Sequence, residues 1–106
     1  MNLAAPTVKA PKAKQSAAED QRVYWAVTER DEQAAPDRHG CRALDIDPDA
    51  GPCSGRIERH HAGNTIGARR VTAVDRVCLL CEGHHQDGWA GVHNRVIVEW
   101  LRGLAS

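Results

Sequence analysis

Four cysteines and a histidine have the types and the spacing to do chemistry in this chain. Cys78 and Cys81 form a Cys-x-x-Cys pair, and Cys81 with His84 forms a Cys-x-x-His pair. Thiolates and imidazoles at this spacing can close a tight turn around one tetrahedral zinc ion. Cys41 and Cys53 could supply the remaining ligands from a loop rich in Gly, Pro and Asp. The spacing therefore predicts a structural zinc site.

Two ligand sets remain open at this point. One is Cys41, Cys53, Cys78 and Cys81, and the other is Cys41, Cys53, Cys81 and His84. A redox-active Cys-x-x-Cys pair and four unrelated thiols are the alternatives to a zinc site. No basic-then-apolar leader opens the chain, so an intracellular setting is expected, in which cysteines serve metals more often than disulfides.

A second candidate site begins at the adjacent histidines His60 and His61. Neighbouring residues on a strand point to opposite faces, so both side chains can serve one site only where the strand ends or bends. Gly63 fits such a bend. One imidazole could hold a cation while the next faces a reacting group; the alternative is an ordinary surface pair.

Composition limits the class of protein. The chain has 106 residues, enough for one small domain, and it contains no Phe and only 4% aromatic residues, so a metal is the expected brace for a modest core. No apolar run approaches the roughly 20 residues of a membrane span.

The net charge of the chain is zero, yet five arginines and only two acidic residues lie between positions 56 and 76. This stripe predicts phosphate contacts; a solvated basic face is the alternative.

Local patterns predict an α+β domain over residues 16–106 behind a flexible tail, residues 1–15. Ser16 and Glu19 match a capping box, which predicts a helix that fades near Gln33 before Pro36. Strands are expected over 56–61 and 74–80, and helix from His84 onward. A last apolar element covers 96–101. The three tryptophans are expected to fill the core.

Several of these motifs occur together in a recognisable order. Along the chain stand Cys41, Cys53-Ser54-Gly55-Arg56, Arg59-His60-His61 and Leu80-Cys81-Glu82-Gly83-His84-His85. This order resembles the HNH endonuclease family, especially its small phage and bacterial members, over a core of about 38–95. Leu-Cys-x-x-His-His is a variant of the family's Leu-Cys-x-x-Cys-His. The resemblance implies a ββα-metal core braced by a zinc knuckle.

The resemblance also implies roles for individual residues. His60 and His85 would ligate a catalytic divalent cation such as Mg²⁺, Mn²⁺ or another transition metal, and His61 would be the general base. The zinc set would be Cys41, Cys53, Cys81 and His84, with Cys78 as a spare or substitute ligand. Arginines would hold the flanking phosphates of DNA: Arg56, Arg59, Arg69, Arg70 and Arg76.

The chain departs from the family pattern at two positions. Arg76 stands where the family has its middle Asn, and only the neighbouring Asp75 could accept a hydrogen bond from the base. Trp89 stands where a second helical His is common. His93, eight residues beyond His85, lies about 12 Å farther along an ideal helix, so it could share the ion only if the helix were broken.

The resemblance thus implies a metal-dependent DNA endonuclease or nickase acting on double-stranded DNA. The expected location is the cytoplasm of a bacterium or of a phage-infected host cell, and no membrane partner is expected. Some phage relatives are associated with a packaging terminase, so the resemblance also suggests such a complex as a partner. The second hypothesis is a catalytically silent, zinc-stapled DNA-binding module. A zinc-braced protein-interaction domain is the third.

Overall fold

The computed structural model describes residues 16–63 and 72–105. The predicted tail, Arg69 and Arg70 lie outside this part of the chain. The fold is α+β, as predicted, and within the described ranges no helix is both long and apolar enough to cross a membrane. The elements in chain order are α1 (Ala17–Ala34), a 3-10 turn (Pro36–Arg38), α2 (Ala43–Ile46), β1 (Ile57–His61), β2 (Val77–Cys81), α3 (Glu82–Gln86), α4 (Trp89–Val92) and α5 (Asn94–Ala105).

Helix α1 begins at the predicted capping box. The Ser16 hydroxyl accepts from the Glu19 amide at 3.1 Å, and the Glu19 carboxylate accepts from the Ser16 amide at 3.0 Å. Two amides that lack partners within the helix are thereby satisfied. The helix ends before Pro36, as expected, because a residue that precedes proline is disfavoured in the helical conformation.

Strands β1 and β2 form a two-stranded antiparallel sheet. His60 lies opposite Cys78 and His61 opposite Val77. Since cross-strand partners share a face and successive residues alternate, Glu58 and His60 belong to one face of β1, whereas Arg59 and His61 belong to the other. The sheet thus separates the two adjacent histidines.

Helices cover both faces of this sheet. On one face, Val27 of α1 packs with Val77 and Leu79. On the other face, Ile97 and Leu101 of α5 pack with Leu80 and Cys78 of β2. Three alanines belong to the same cluster, namely Ala43, Ala62 and Ala90. Leu80, Ile97 and Leu101 are fully buried, each contributing about 1.5–3 kcal/mol of transfer free energy. Both strands are therefore fixed relative to the helices on either side.

The tryptophans divide into two groups. Trp89 and Trp100 pack against the core, as predicted. The prediction for Trp25 was wrong, because this residue is 72% exposed on α1. Tyr24 and Val27 of that helix face the sheet instead, which leaves its neighbour Trp25 on the solvent side.

A buried carboxylate ties α1 to the sheet and to α2. Asp31 is fully buried and accepts from Arg42 Nη1 at 2.6 Å, from Arg30 Nε at 2.8 Å and from the amide of Leu79 at 2.9 Å. The Arg42 guanidinium also lies 4.6 Å from the centroid of the Trp100 ring on α5. Through Asp31 and Arg42, the segment that follows Cys41 is held against three elements.

We expect Asp31→Ala to lower the free energy of unfolding by about 3–5 kcal/mol. The buried Arg42 would keep only the partly exposed carboxylate of Asp45, and the Leu79 amide would lose its acceptor. Urea denaturation measures this loss. Glu32→Ala is the matched control, since Glu32 is exposed on the same helix and should change stability by less than about 0.5 kcal/mol. Equal effects of the two variants would contradict the assigned role.

Candidate metal centre and the adjacent histidine pair

Three cysteines and one histidine converge from four parts of the chain. Cys41 follows the 3-10 turn, Cys53 lies in the loop before β1, Cys81 ends β2, and His84 lies in α3. Their ligand atoms all lie within 4.8 Å of one another. Among the described residues this is the one cluster of three or more such side chains. The Cys3His group could hold a metal ion.

The donor atoms of this group suit zinc. Zinc–sulfur bonds of about 2.3 Å and zinc–nitrogen bonds of about 2.0–2.1 Å place tetrahedral ligands roughly 3.5–3.8 Å apart. Cys41 Sγ lies 3.7 Å from Nδ1 of His84, within this range, whereas Cys81 Sγ lies closer to it, at 3.0 Å. Three sulfurs and one nitrogen form a donor set typical of structural zinc, with no position left for a substrate.

Surrounding groups orient the ligands. The second ring nitrogen of His84, Nε2, lies 3.0 Å from the Ala50 carbonyl oxygen, to which it can donate. That bond leaves Nδ1 unprotonated and directed toward the sulfurs. The Ser54 amide donates to Cys81 Sγ at 3.4 Å, and the Trp89 ring packs edge-on against His84 with centroids 5.6 Å apart. The imidazole is thus prepared for metal binding.

The three thiols differ in how readily they ionise. Burial raises the pKa of Cys41, and burial near the other sulfurs raises the pKa of Cys53 to about 12. Burial also acts to raise the pKa of Cys81, but amide donors from His84 and Ser54 outweigh it and bring this pKa to about 7. Cys81 is therefore the thiolate that forms most easily, while a bound cation would deprotonate the other two.

Cys78 lies outside the Cys3His group. It is fully buried in the core between α5 and the sheet, and burial raises its pKa to about 12. Residues three apart on a strand point to opposite faces, so Cys78 and Cys81 do not converge on one ion. Of the two predicted ligand sets, the structure brings together the one that contains His84.

The imidazoles of His60 and His85 lie together. Their ring centroids are 5.3 Å apart at an interplanar angle of 78°. His85 Nδ1 lies 2.7 Å from Glu58 Oε1, and His60 Nε2 lies 3.3 Å from Asn94 Oδ1. The hydrogen bond from His85 lowers the pKa of Glu58, whereas burial lowers the pKa of His60 and favours the neutral, metal-binding imidazole.

His61 faces the other side of β1. Its Nε2 lies 3.0 Å from the Tyr24 hydroxyl and 3.3 Å from the Thr72 hydroxyl. The guanidinium of Arg59, two residues earlier on the same face, stacks 4.1 Å from the centroid of the Tyr24 ring. The described structure thus separates the predicted base from the predicted ligand pair by the thickness of one strand.

The remaining predicted residues lie around this region. Asp75 and Arg76 form the turn before β2, and the Arg76 guanidinium lies against Gly63; orientation of His61 by Asp75 stays a prediction. Arg56 is exposed. His93 stacks on Trp89 with centroids 4.8 Å apart, and it does not belong to the Cys3His group.

Sequence reasoning missed Glu58 and Asn94. A signal existed for Glu58, because it stands two residues before His60 on the same strand and so shares its face. The sequence gave no comparable signal for Asn94. Its contact with His60 depends on two breaks in the helical region. One lies at Gly88 between α3 and α4, and the other lies at His93 between α4 and α5.

Compared with protein-family models, with curated proteins and with solved structures, the chain matches none of them. The site therefore has to be interpreted from its own geometry.

Proposed function

We propose that the chain is a metal-dependent DNA endonuclease or nickase, with zinc as a structural ion in the Cys3His group. The observation that supports this most directly is the pairing of His60 and His85, whose ring centroids lie 5.3 Å apart beside that group. His85 directly follows the candidate zinc ligand His84 in α3. An ion that fixes His84 would also fix the helix that carries His85.

In this proposal, His60 and His85 hold the catalytic cation, Mg²⁺, Mn²⁺ or another transition metal. Such an ion would polarise the scissile phosphate and stabilise the charge that develops on the leaving oxygen. Mg²⁺ prefers oxygen ligands and gives up its water ligands reluctantly, whereas Mn²⁺ belongs to the transition-metal series that binds imidazole, although it is the weakest binder of that series. We therefore expect Mn²⁺ to support more activity than Mg²⁺ at equal concentration.

His61 is the proposed general base that takes a proton from the attacking water. Because its side chain and that of His60 leave β1 on opposite faces, the scissile phosphate would lie at the end of this strand, within reach of both. Arg59 shares the face of His61, and Arg56 lies exposed just before β1. With Arg76, Arg69 and Arg70, they are the proposed contacts to flanking phosphates of double-stranded DNA, contacts that position DNA without reading sequence.

A plasmid assay tests the proposed base. Zinc-loaded protein should convert supercoiled plasmid to the nicked form in Mn²⁺, and His61→Ala should reduce this rate by about 100-fold or more, as loss of a general base does. Zinc content should stay unchanged. His39→Ala is the control, since His39 is an exposed histidine after the 3-10 turn, and its activity should equal that of the wild type. Full activity in His61→Ala would remove the proposed base.

Other outcomes of the same assay would favour the other two hypotheses. Salt-sensitive retention of DNA without cleavage in any divalent ion would indicate the catalytically silent binding module, for which the Arg at position 76 in place of the family's Asn is the motivating observation. Absence of DNA retention even at low salt would favour a protein-interaction domain.

A further inference from the structure

Glu58 is held in place from several sides. Its Oε1 lies 2.7 Å from His85 Nδ1. The side-chain amide of Gln86 donates to both carboxylate oxygens, at 2.8 and 2.7 Å, and Arg56 Nε donates to Oε2 at 3.3 Å. The side chain of Glu58 is only 14% exposed. A carboxylate constrained in this way presents one oxygen to His85 in a fixed direction.

The contacts of the two imidazoles use different ring nitrogens. A carboxylate oxygen and an amide oxygen only accept hydrogen bonds, so the nitrogen that faces each of them must carry the proton. His85 is therefore protonated at Nδ1, opposite Glu58, and His60 at Nε2, opposite Asn94 Oδ1. In the neutral form of each ring, the nitrogen left with a lone pair is Nε2 in His85 and Nδ1 in His60.

We propose that Glu58 and Asn94 are positioning residues that hold the two imidazoles in opposite tautomers, so that each offers one lone pair to the same divalent cation. The cation's part in this inference rests on the proposed function. The tautomers themselves do not, because they are set by hydrogen bonds within the protein. Oxygen acceptors that orient metal-binding histidines in this way typically raise metal affinity by about 10–100-fold.

Glu58 carries the larger share of this effect. A neutral imidazole in water favours the form protonated at Nε2, which is the form that Asn94 supports in His60. His85 has to be held in the less favoured form, and Glu58 is the acceptor that does so. Removal of the Glu58 carboxylate should therefore change the tautomer of His85, whereas removal of the Asn94 amide should mainly loosen the His60 ring.

Nitrogen-15 NMR of histidine-labelled, zinc-loaded protein without other metal tests the tautomers. We expect His85 to be protonated at Nδ1 in the wild type and in Glu58→Gln, which keeps an acceptor oxygen, and at Nε2 in Glu58→Ala. Glu29→Ala, which removes an exposed carboxylate on α1, should leave His85 unchanged. Zinc content and circular dichroism confirm that each variant is folded. Protonation of His85 at Nε2 in the wild type, or an unchanged tautomer in Glu58→Ala, would overturn the inference.

Mn²⁺ titration separates this inference from the proposed function. The dissociation constant of Mn²⁺ should rise about 10–100-fold in Glu58→Ala and stay near the wild-type value in Glu29→Ala. Wild-type protein with the expected tautomers that binds no Mn²⁺ would overturn the proposed catalytic site while upholding the assignment of Glu58. Equal Mn²⁺ affinity in the wild type and Glu58→Ala would overturn the positioning role.

Discussion

Replacing Cys41 by alanine should abolish zinc binding and unfold the chain, whereas replacing Cys78 by alanine should do neither. Both thiols are fully buried, but only Cys41 belongs to the Cys3His group. Structural zinc sites contribute about 10–16 kcal/mol of apparent binding free energy, which is comparable to the roughly 5–15 kcal/mol that stabilises a typical domain. A small core that lacks phenylalanine has little to replace that contribution.

Metal analysis and thermal unfolding measure this difference. We expect one zinc per chain in the wild type and in Cys78→Ala, and less than a tenth of that in Cys41→Ala. Cys78→Ala should keep a cooperative transition at a somewhat lower temperature, because it removes one buried sulfur from a packed core. A strong chelator should convert the wild type to the unfolded state seen for Cys41→Ala. Retention of zinc by Cys41→Ala, or its loss from Cys78→Ala, would contradict the ligand set.

Replacing His85 by alanine should lower the rate of plasmid nicking by at least about 100-fold, provided that zinc remains bound. The proposed cation would lose one of its two imidazole ligands, and each 1.36 kcal/mol of lost transition-state stabilisation costs about tenfold in rate. His60→Ala should have an effect of similar size. Because the two residues would serve one ion, the double variant should be hardly slower than either single variant.

His93→Ala is the matched control for this prediction. His93 is a partly exposed histidine from the same helical region, but its ring contacts Trp89 and Asp47. We expect it to keep nicking activity within a few-fold of the wild type. Zinc content and the circular dichroism spectrum show whether each variant is folded. If folded His85→Ala nicked DNA at the wild-type rate, the histidine pair would have no catalytic role.

Local sequence signals determined the elements of the fold well. The capping box at Ser16 and Glu19 places the start of α1, because it depends on residues three apart in the chain. The end of this helix before Pro36 follows from the conformation that proline imposes on the residue before it. Both strands were predicted to within a few residues. By contrast, the prediction for Trp25 was wrong, because which side of α1 faces the sheet depends on tertiary packing.

The choice between the two zinc ligand sets was partly within reach of the sequence. Cys78 falls inside the predicted strand 74–80 and Cys81 directly follows it, so continued strand alternation would place the two side chains on opposite faces. Cys81 and His84 instead span the junction from β2 to α3, where the chain turns. That Cys41 and Cys53 complete the group was a plausible pairing of distant residues, and only the folded chain shows their ligand atoms within 4.8 Å.

The sequence by itself determined which candidate metal-binding side chains the chain carries and on which local elements they lie, because spacing within a strand or a helical turn is a property of the nearby backbone. Only the tertiary structure decided which of these residues meet. It brought His60 to His85, placed the hydroxyls of Tyr24 and Thr72 beside His61, and set Glu58 against His85 and Asn94 against His60. The physical reason is that such contacts depend on how α1 and α5 pack on the two faces of the sheet and on where the helices break, which the spacing of residues along the chain does not record.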